Sequence, residues 1–180
     1  MSATIEQFEE MKGFLSFGEA DAANLQRLAP VFATHGAKIT DDFYAILARY
    51  PTTAALIETR LESLKATHNR WMSQLFEGSY GAEYFENRIR IGLAHVRIGL
   101  PPWYVEAVMN LIRIEGHLAI VEGVPDADER APLYASLLKI LDLDLMIINL
   151  TYSEERLDRV TSFTGMSRKL IENVINQAKN

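Results

Sequence analysis

His95 stands in the stretch Gly-Leu-Ala-His-Val-Arg-Ile-Gly-Leu-Pro-Pro-Trp-Tyr, residues 92–104, which runs like a helix, stops at two prolines and restarts on aromatic residues. Gly92 precedes the histidine by three positions and Gly99 follows it by four. Side chains at these offsets share one face of a helix. The surface beside this imidazole is therefore nearly bare, at a cost to the helix of about 1 kcal/mol for each interior glycine. Close approach of a flat group is the usual reason for such a face. Ile91, Val96, Ile98 and Leu100 would wall it with apolar surface, and the three other histidines, His35, His68 and His117, are distant in sequence. A zinc site with several protein ligands is poorly supported by that pattern. One imidazole, a bare face and apolar walls suit a cofactor that brings most of its own metal ligands. Haem is such a cofactor, with a neutral ring nitrogen of His95 on the iron. The alternative is a surface histidine, or a core histidine satisfied by a protein partner.

The elements that must position His95 are helical. The 180 residues suit one domain with an added terminal helix, and 48% apolar against 23% charged residues suits a packed core. Leu25, Leu28, Val31 and Phe32 share one face of a segment that ends at Gly36. Ile39, Phe43, Ile46 and Leu47 line a second helix that stops before Pro51. A short turn at 51–58 leads to a helix aligning Leu61, Leu64, His68, Trp71 and Leu75. After a loop at 77–81, a fifth helix covers 82–98 and a sixth runs from Pro102, tolerated in a first turn, to Gly123. The last helix opens at 124–135 with an acidic first turn and meets no later Gly or Pro before Gly165. No strand or repeat is legible, so the fold class is all-α. Beyond Tyr152, the residues Leu157, Val160, Phe163, Leu170 and Val174 leave a thin apolar stripe, which fits a two-helix seam or a frayed tail.

Charge and composition exclude several functions. A net charge of −6 lacks the basic stripe that nucleic acid needs. The most apolar run, residues 140–150, is broken by Asp142 and Asp144, and the N-terminus lacks a basic region followed by an apolar stretch. The expectation is no direct membrane insertion and no secretory signal. The lack of cysteine excludes disulfides, thiolate metal sites and cysteine nucleophiles, and suits a cytoplasmic location.

The order His95, Ile98-Gly99-Leu100, a proline and Trp103-Tyr104 resembles the proximal-histidine motif of globin-coupled sensors and protoglobins, with Pro101 and Pro102 crowding the turn. Upstream, residues 41–47 resemble the family's second-helix Phe-Tyr pair, here Phe43-Tyr44, and residues 75–88 resemble the loop before the proximal helix. The resemblance covers roughly residues 18–150. It implies a globin fold, a three-over-three-like helical sandwich with an N-terminal extension (1–17) and no separate D helix. The sensor domain would span 18–152, and 153–180 would be a helical linker. It also implies haem b, a diatomic gas ligand (O₂, CO or NO) and a homodimer through the last two helices. The signal would pass to an output module such as a chemotaxis transducer, diguanylate cyclase or histidine kinase. No such module is present in these residues, so either it has been removed or this is a single-domain member.

The same resemblance implies a set of residues around the cofactor. Tyr44 matches a tyrosine that donates to the gas, or else is a core aromatic beside Phe43. Leu64 and Thr67 match distal-helix positions, one gating access and one offering a hydroxyl, although Thr67 could bond its own helix backbone instead. His68 departs from the apolar residue usual at its position. It could ligate iron, donate a hydrogen bond, or be satisfied in the core. Gly92, Ile98 and Trp71 complete the cofactor-binding set, and Trp71, Trp103 and Tyr104 are read most simply as packing aromatics. His35 and His117 receive structural readings. The leading expectation is a haem-based gas sensor that is not itself an enzyme. A haem enzyme such as an NO dioxygenase or peroxidase, or a haem-free signalling module, are the alternatives. No glycine-rich turn after a strand offers a flavin or nicotinamide site.

Overall fold

The structure is a computed structural model that describes residues 3–177. Eight helices follow in order: α1 (Ile5–Phe14), α2 (Glu19–Leu47), α3 (Pro51–Ile57), α4 (Leu61–Gln74), α5 (Ala82–Arg97), α6 (Pro102–Gly123), α7 (Ala127–Thr164) and α8 (Arg168–Gln177). No strand occurs among the described residues. Helix α7 is the hub and packs against α5, α6, α2 and α1, while α2 also packs on α4 and α6. Its core-facing residues, among them Leu137, Ile140, Leu141 and Ile147, are fully buried.

Helix α1 begins at a reciprocal cap in which the Gln7 amide donates to Thr4 Oγ1 at 3.3 Å and the Thr4 amide donates to Gln7 Oε1 at 2.9 Å. Phe8 is completely buried and stacks on Phe85 of α5 at 4.9 Å between ring centroids. Helix α1, within the extension expected at 1–17, thus contributes Phe8 to the core.

The expected break at Gly36 is not there. Helix α2 runs unbroken for 29 residues through both Pro30 and Gly36. Gly36 is buried where α4 crosses, and a Cβ there would lie 3.1 Å from Met72 Sδ. The glycine serves close helix approach, not termination. Helix α7 continues as expected to Gly165, whose φ of 69° provides the left-handed stop. Helix α8 then folds back, held by Arg168 donating to Glu154 at 2.6 Å and by the buried Ile171. Of the expected stripe, Leu157 is half-buried, while Val160, Phe163, Leu170 and Val174 stay exposed and Ile171 provides the buried contact of α8. Positions 178–180 of the expected linker lie outside the described residues.

A buried polar cluster crosses this apolar interior. Asp144 of α7, fully buried, accepts from Trp71 Nε1 of α4 at 2.8 Å, and from Tyr84 Oη at 2.5 Å and Arg88 Nε at 2.8 Å, both of α5. Arg88 is equally buried, and its Nη1 donates to Gln74 Oε1 at 2.7 Å. Asp142, the other acid in the apolar run, pairs with Arg113 near the surface.

The bare face at Gly92 belongs to this helix packing. A Cβ on Gly92 would meet Thr151 Cβ of α7 at 2.8 Å. Helix propensity alone predicts that Gly92→Ala stabilises by about 1 kcal/mol. The contact with the rigid Thr151 Cβ predicts the opposite, a loss of about 1–3 kcal/mol through overpacking. Urea unfolding should show that loss; a gain would mean that α5 and α7 separate freely.

Candidate functional site

The helix that carries His95 is ended by its own next five residues. Gly99 takes φ +70°, the Gly99 amide donates to the Val96 carbonyl and the Leu100 amide donates to the His95 carbonyl, both at 3.1 Å. This is the paired closure that a left-handed residue allows after a helix. Pro102 then opens α6 in its first turn. Tyr152 of α7 donates its hydroxyl to the Leu100 carbonyl at 2.7 Å and pins the connection to the core. The motif thus stops α5 just past His95 and fixes where its last turn lies. Gly99 is a backbone device, and a Cβ on it would meet open space.

His95 faces a cavity of about 300 Å³ whose wall is contributed by α2 to α7. Phe43, Tyr44, Leu64, His68, Ile98 and Tyr104 share that wall, which is predominantly apolar. Arg60, exposed at its edge, is the one charged side chain on it. Among the described residues Arg60 makes no ion pair. The structure therefore brings together the two histidines singled out in sequence, His95 from α5 and His68 from α4.

Burial holds both imidazoles neutral. It pushes the His68 pKa down to about 4. It also lowers that of His95, opposed in part by the carbonyl of Ile91 one turn back. That carbonyl lies outside strict hydrogen-bond geometry, and His95 Nδ1 is buried without a satisfactory partner. His68 Nε2 is also buried and unpaired, although the residue as a whole is only half-buried. Its Nδ1 lies 2.9 Å from Thr40 Oγ1. The ring is fenced by Phe43 at 4.9 Å and Trp71 at 5.1 Å, with Tyr44 edge-on at 6.1 Å. Burial raises the Tyr44 pKa to about 12, so its phenol stays a neutral donor. The unpartnered Nε2 of His68, on an apolar wall shared with the neutral imidazole of His95, suits a metal-bearing macrocycle.

Other expected site residues divide. Leu64, Ile98 and Trp71 do line the cavity. Trp71 is more than a packing aromatic, because its indole N–H anchors to Asp144. Thr67 lines it too, but its hydroxyl donates to the Ser63 carbonyl at 2.9 Å and has no proton left for a ligand. Gly92 does not line it; the expected cofactor face is occupied by Thr151. Of the aromatic pair, Tyr104 faces the cavity while Trp103 points outward, 56% exposed. Sequence reasoning missed Arg60, Thr40 and the Asp144 cluster. An acid inside an otherwise largely apolar run was the available signal for the last of these, since a charge buried there demands a partner.

Known proteins of this shape carry the same arrangement of helices. The structure resembles the globin domain of the Geobacter sulfurreducens globin-coupled sensor, with a TM-score of 0.76 and 37% identity over 80% of this chain and 96% of that one. The ferric globin domain of E. coli DosC shares the fold at a TM-score of 0.68 and 18% identity, covering 79% of this chain and 97% of that one. The heme-based aerotactic transducer HemAT of Halobacterium salinarum is 28% identical over 161 residues, which is 81% of this chain. The chain spans a third, 33%, of that transducer's length. The protoglobin profile matches residues 4–158, from the cap of α1 into the exposed end of α7. The helices form a globin fold, and the chain belongs to the protoglobin family.

Proposed function

We propose that the chain is a haem-binding gas-sensor domain in which His95 holds the iron and α7 carries the response toward a signalling partner. The observation that carries the reading is the meeting of His95 and His68 on one apolar cavity, with a neutral, unpartnered Nε2 on His68. The cofactor class that fits is haem b, and when bound it supplies an iron centre able to take a diatomic gas. His95, held by the capped end of α5, would hold the iron through a ring nitrogen. Arg60, unpaired at the rim, suits a propionate carboxylate. Apolar walls exclude water from the iron, and Tyr44 offers a phenolic hydrogen with no protein partner among the described residues. With haem bound, His68 would compete with the gas for the iron, a reading that its unpartnered Nε2 on the cavity wall supports. Loss of that contact would bias α4, and the Trp71–Asp144 hydrogen bond would pass the bias to α7. Such a module needs no catalytic turnover of its own.

Assembly belongs to the same proposal. Ile114, Leu118 and Val121 repeat on one face of α6 and are 50%, 53% and 39% exposed. That row supports a homodimer through α6 and α7, and an output module would connect beyond α7. No helix among the described residues is long and apolar enough to cross a membrane.

His95→Ala should yield protein with almost no haem absorbance, whereas retention of full haem and an unchanged spectrum would overturn the assignment. His68→Leu should convert a low-spin six-coordinate resting spectrum to a five-coordinate one; a high-spin wild type would remove iron ligation by His68. Tyr44→Phe should raise the O₂ dissociation rate about tenfold, the loss of one hydrogen bond to a charged group. CO dissociation should change far less, and Thr67→Val should leave both rates within about twofold because its hydroxyl is already committed to Ser63. Sedimentation should give a dimer at micromolar concentration that Leu118→Glu separates, and a monomeric wild type would remove the assembly reading.

A further inference from the structure

Thr40 and Asn69 form a short polar chain behind His68 that the haem-sensor reading does not use. Thr40 lies on α2 and is completely buried, and Asn69 lies on the exposed side of α4. Thr40 Oγ1 stands 2.9 Å from His68 Nδ1 and 2.5 Å from Asn69 Oδ1. A hydroxyl has one proton to give. The Asn69 carbonyl oxygen can only accept, so it takes that proton. Thr40 Oγ1 must then accept from His68, which requires the hydrogen to sit on Nδ1. Nε2 is left as a bare lone pair, the buried and unpartnered atom on the cavity wall. A metal-binding histidine is commonly fixed in this way by the group behind its second nitrogen.

We propose that Thr40 and Asn69 are positioning residues that hold His68 as its Nδ1–H tautomer. The inference rests on the haem-sensor reading only for its consequence at the iron. With this tautomer, His68 presents a ligand to the iron. Rotation of the Asn69 amide would reverse the chain: its NH₂ donates to Thr40, Thr40 donates to Nδ1, and Nε2 carries the hydrogen. His68 would then be a donor to a gas and unable to bind iron. One exposed amide therefore sets which of two roles the buried imidazole takes.

The test uses the haem-loaded protein and two readouts. Nitrogen-15 correlation spectra of the diamagnetic ferrous CO complex report which His68 ring nitrogen bears hydrogen, independently of iron ligation. Absorption spectra without gas report the six-coordinate fraction. Wild type should show hydrogen on Nδ1. Thr40→Val, close in shape to the native side chain, should shift hydrogen toward Nε2 and lower the six-coordination equilibrium about tenfold. Thr40→Ser should restore both. Asn69→Asp, which can only accept, should keep hydrogen on Nδ1, and Asn69→Ala, at an exposed position, should mix the tautomers. Hydrogen on Nε2 in wild type, or tautomers unmoved by Thr40→Val and Asn69→Ala, would overturn the proposal. If His68→Leu abolishes six-coordination while Thr40→Val leaves it and the tautomer unchanged, the sensor reading stands and the positioning role falls. If the tautomer responds but wild type is five-coordinate, the positioning role stands and iron ligation by His68 falls.

Discussion

The carboxylate of Asp144 has no access to water, and groups from α4 and α5 must come to it. Trp71 reaches it from α4, and Tyr84 and Arg88 reach it from α5, at 2.5–2.8 Å. A buried ion pair of this kind adds little net stability, because desolvating both charges offsets most of their attraction. Removing one partner is another matter and costs roughly 3–5 kcal/mol. The physical consequence is register. Helices α4, α5 and α7 cannot slide past one another without stranding a charge or an indole N–H in an apolar core. The same cluster places Trp71 against His68, so the wall of the cavity is tied directly to the longest helix in the chain.

A second constraint sets the other side of the cavity. Helix α5 must end at once after His95, or the connection to α6 could not close within four residues. Gly99 makes the reversal possible, Pro102 restarts the chain, and Tyr152 holds the Leu100 carbonyl to α7. Thr151, the residue before Tyr152, fills the space that Gly92 leaves. Two adjacent residues of α7 therefore fix both the middle and the end of the His95 helix. The imidazole projects from a helix with little freedom to shift. Burial meanwhile keeps His95, His68 and Tyr44 uncharged, so the cavity is neutral apart from Arg60 at its edge.

The helices themselves were legible because apolar periodicity and the Gly and Pro signals of α5, α6 and α7 are local. Pro102, Gly123 and Gly165 mark the ends where they were expected. Gly36 misled for the same reason. Locally a glycine reads as a stop, and only the crossing of α4, with Met72 Sδ 3.1 Å from a notional Cβ, shows that it is an approach point. Gly92 repeats the lesson at the site. Its bare face was visible in the sequence, but which neighbour used it was not.

His95, Tyr44 and His68 could be named from residue type, spacing and family resemblance, since an imidazole or phenol on an inward helix face has few uses. Their meeting on one cavity, Thr67's hydroxyl turned to its own backbone, and the chain from Asn69 through Thr40 to His68 are different in kind. The meeting and the polar chain depend on how helices cross, which joins residues as far apart as Thr40 and His68, 28 positions, while Thr67 turns to Ser63 of its own helix. Asp144 is the clearest case: sequence shows a charge in an apolar run, and only tertiary structure supplies Arg88, 56 positions away, to neutralise it. Sequence determined which chemical groups were available and which helices carried them. Packing decided which groups touch, because hydrogen bonds and buried charges are satisfied in space and not along the chain.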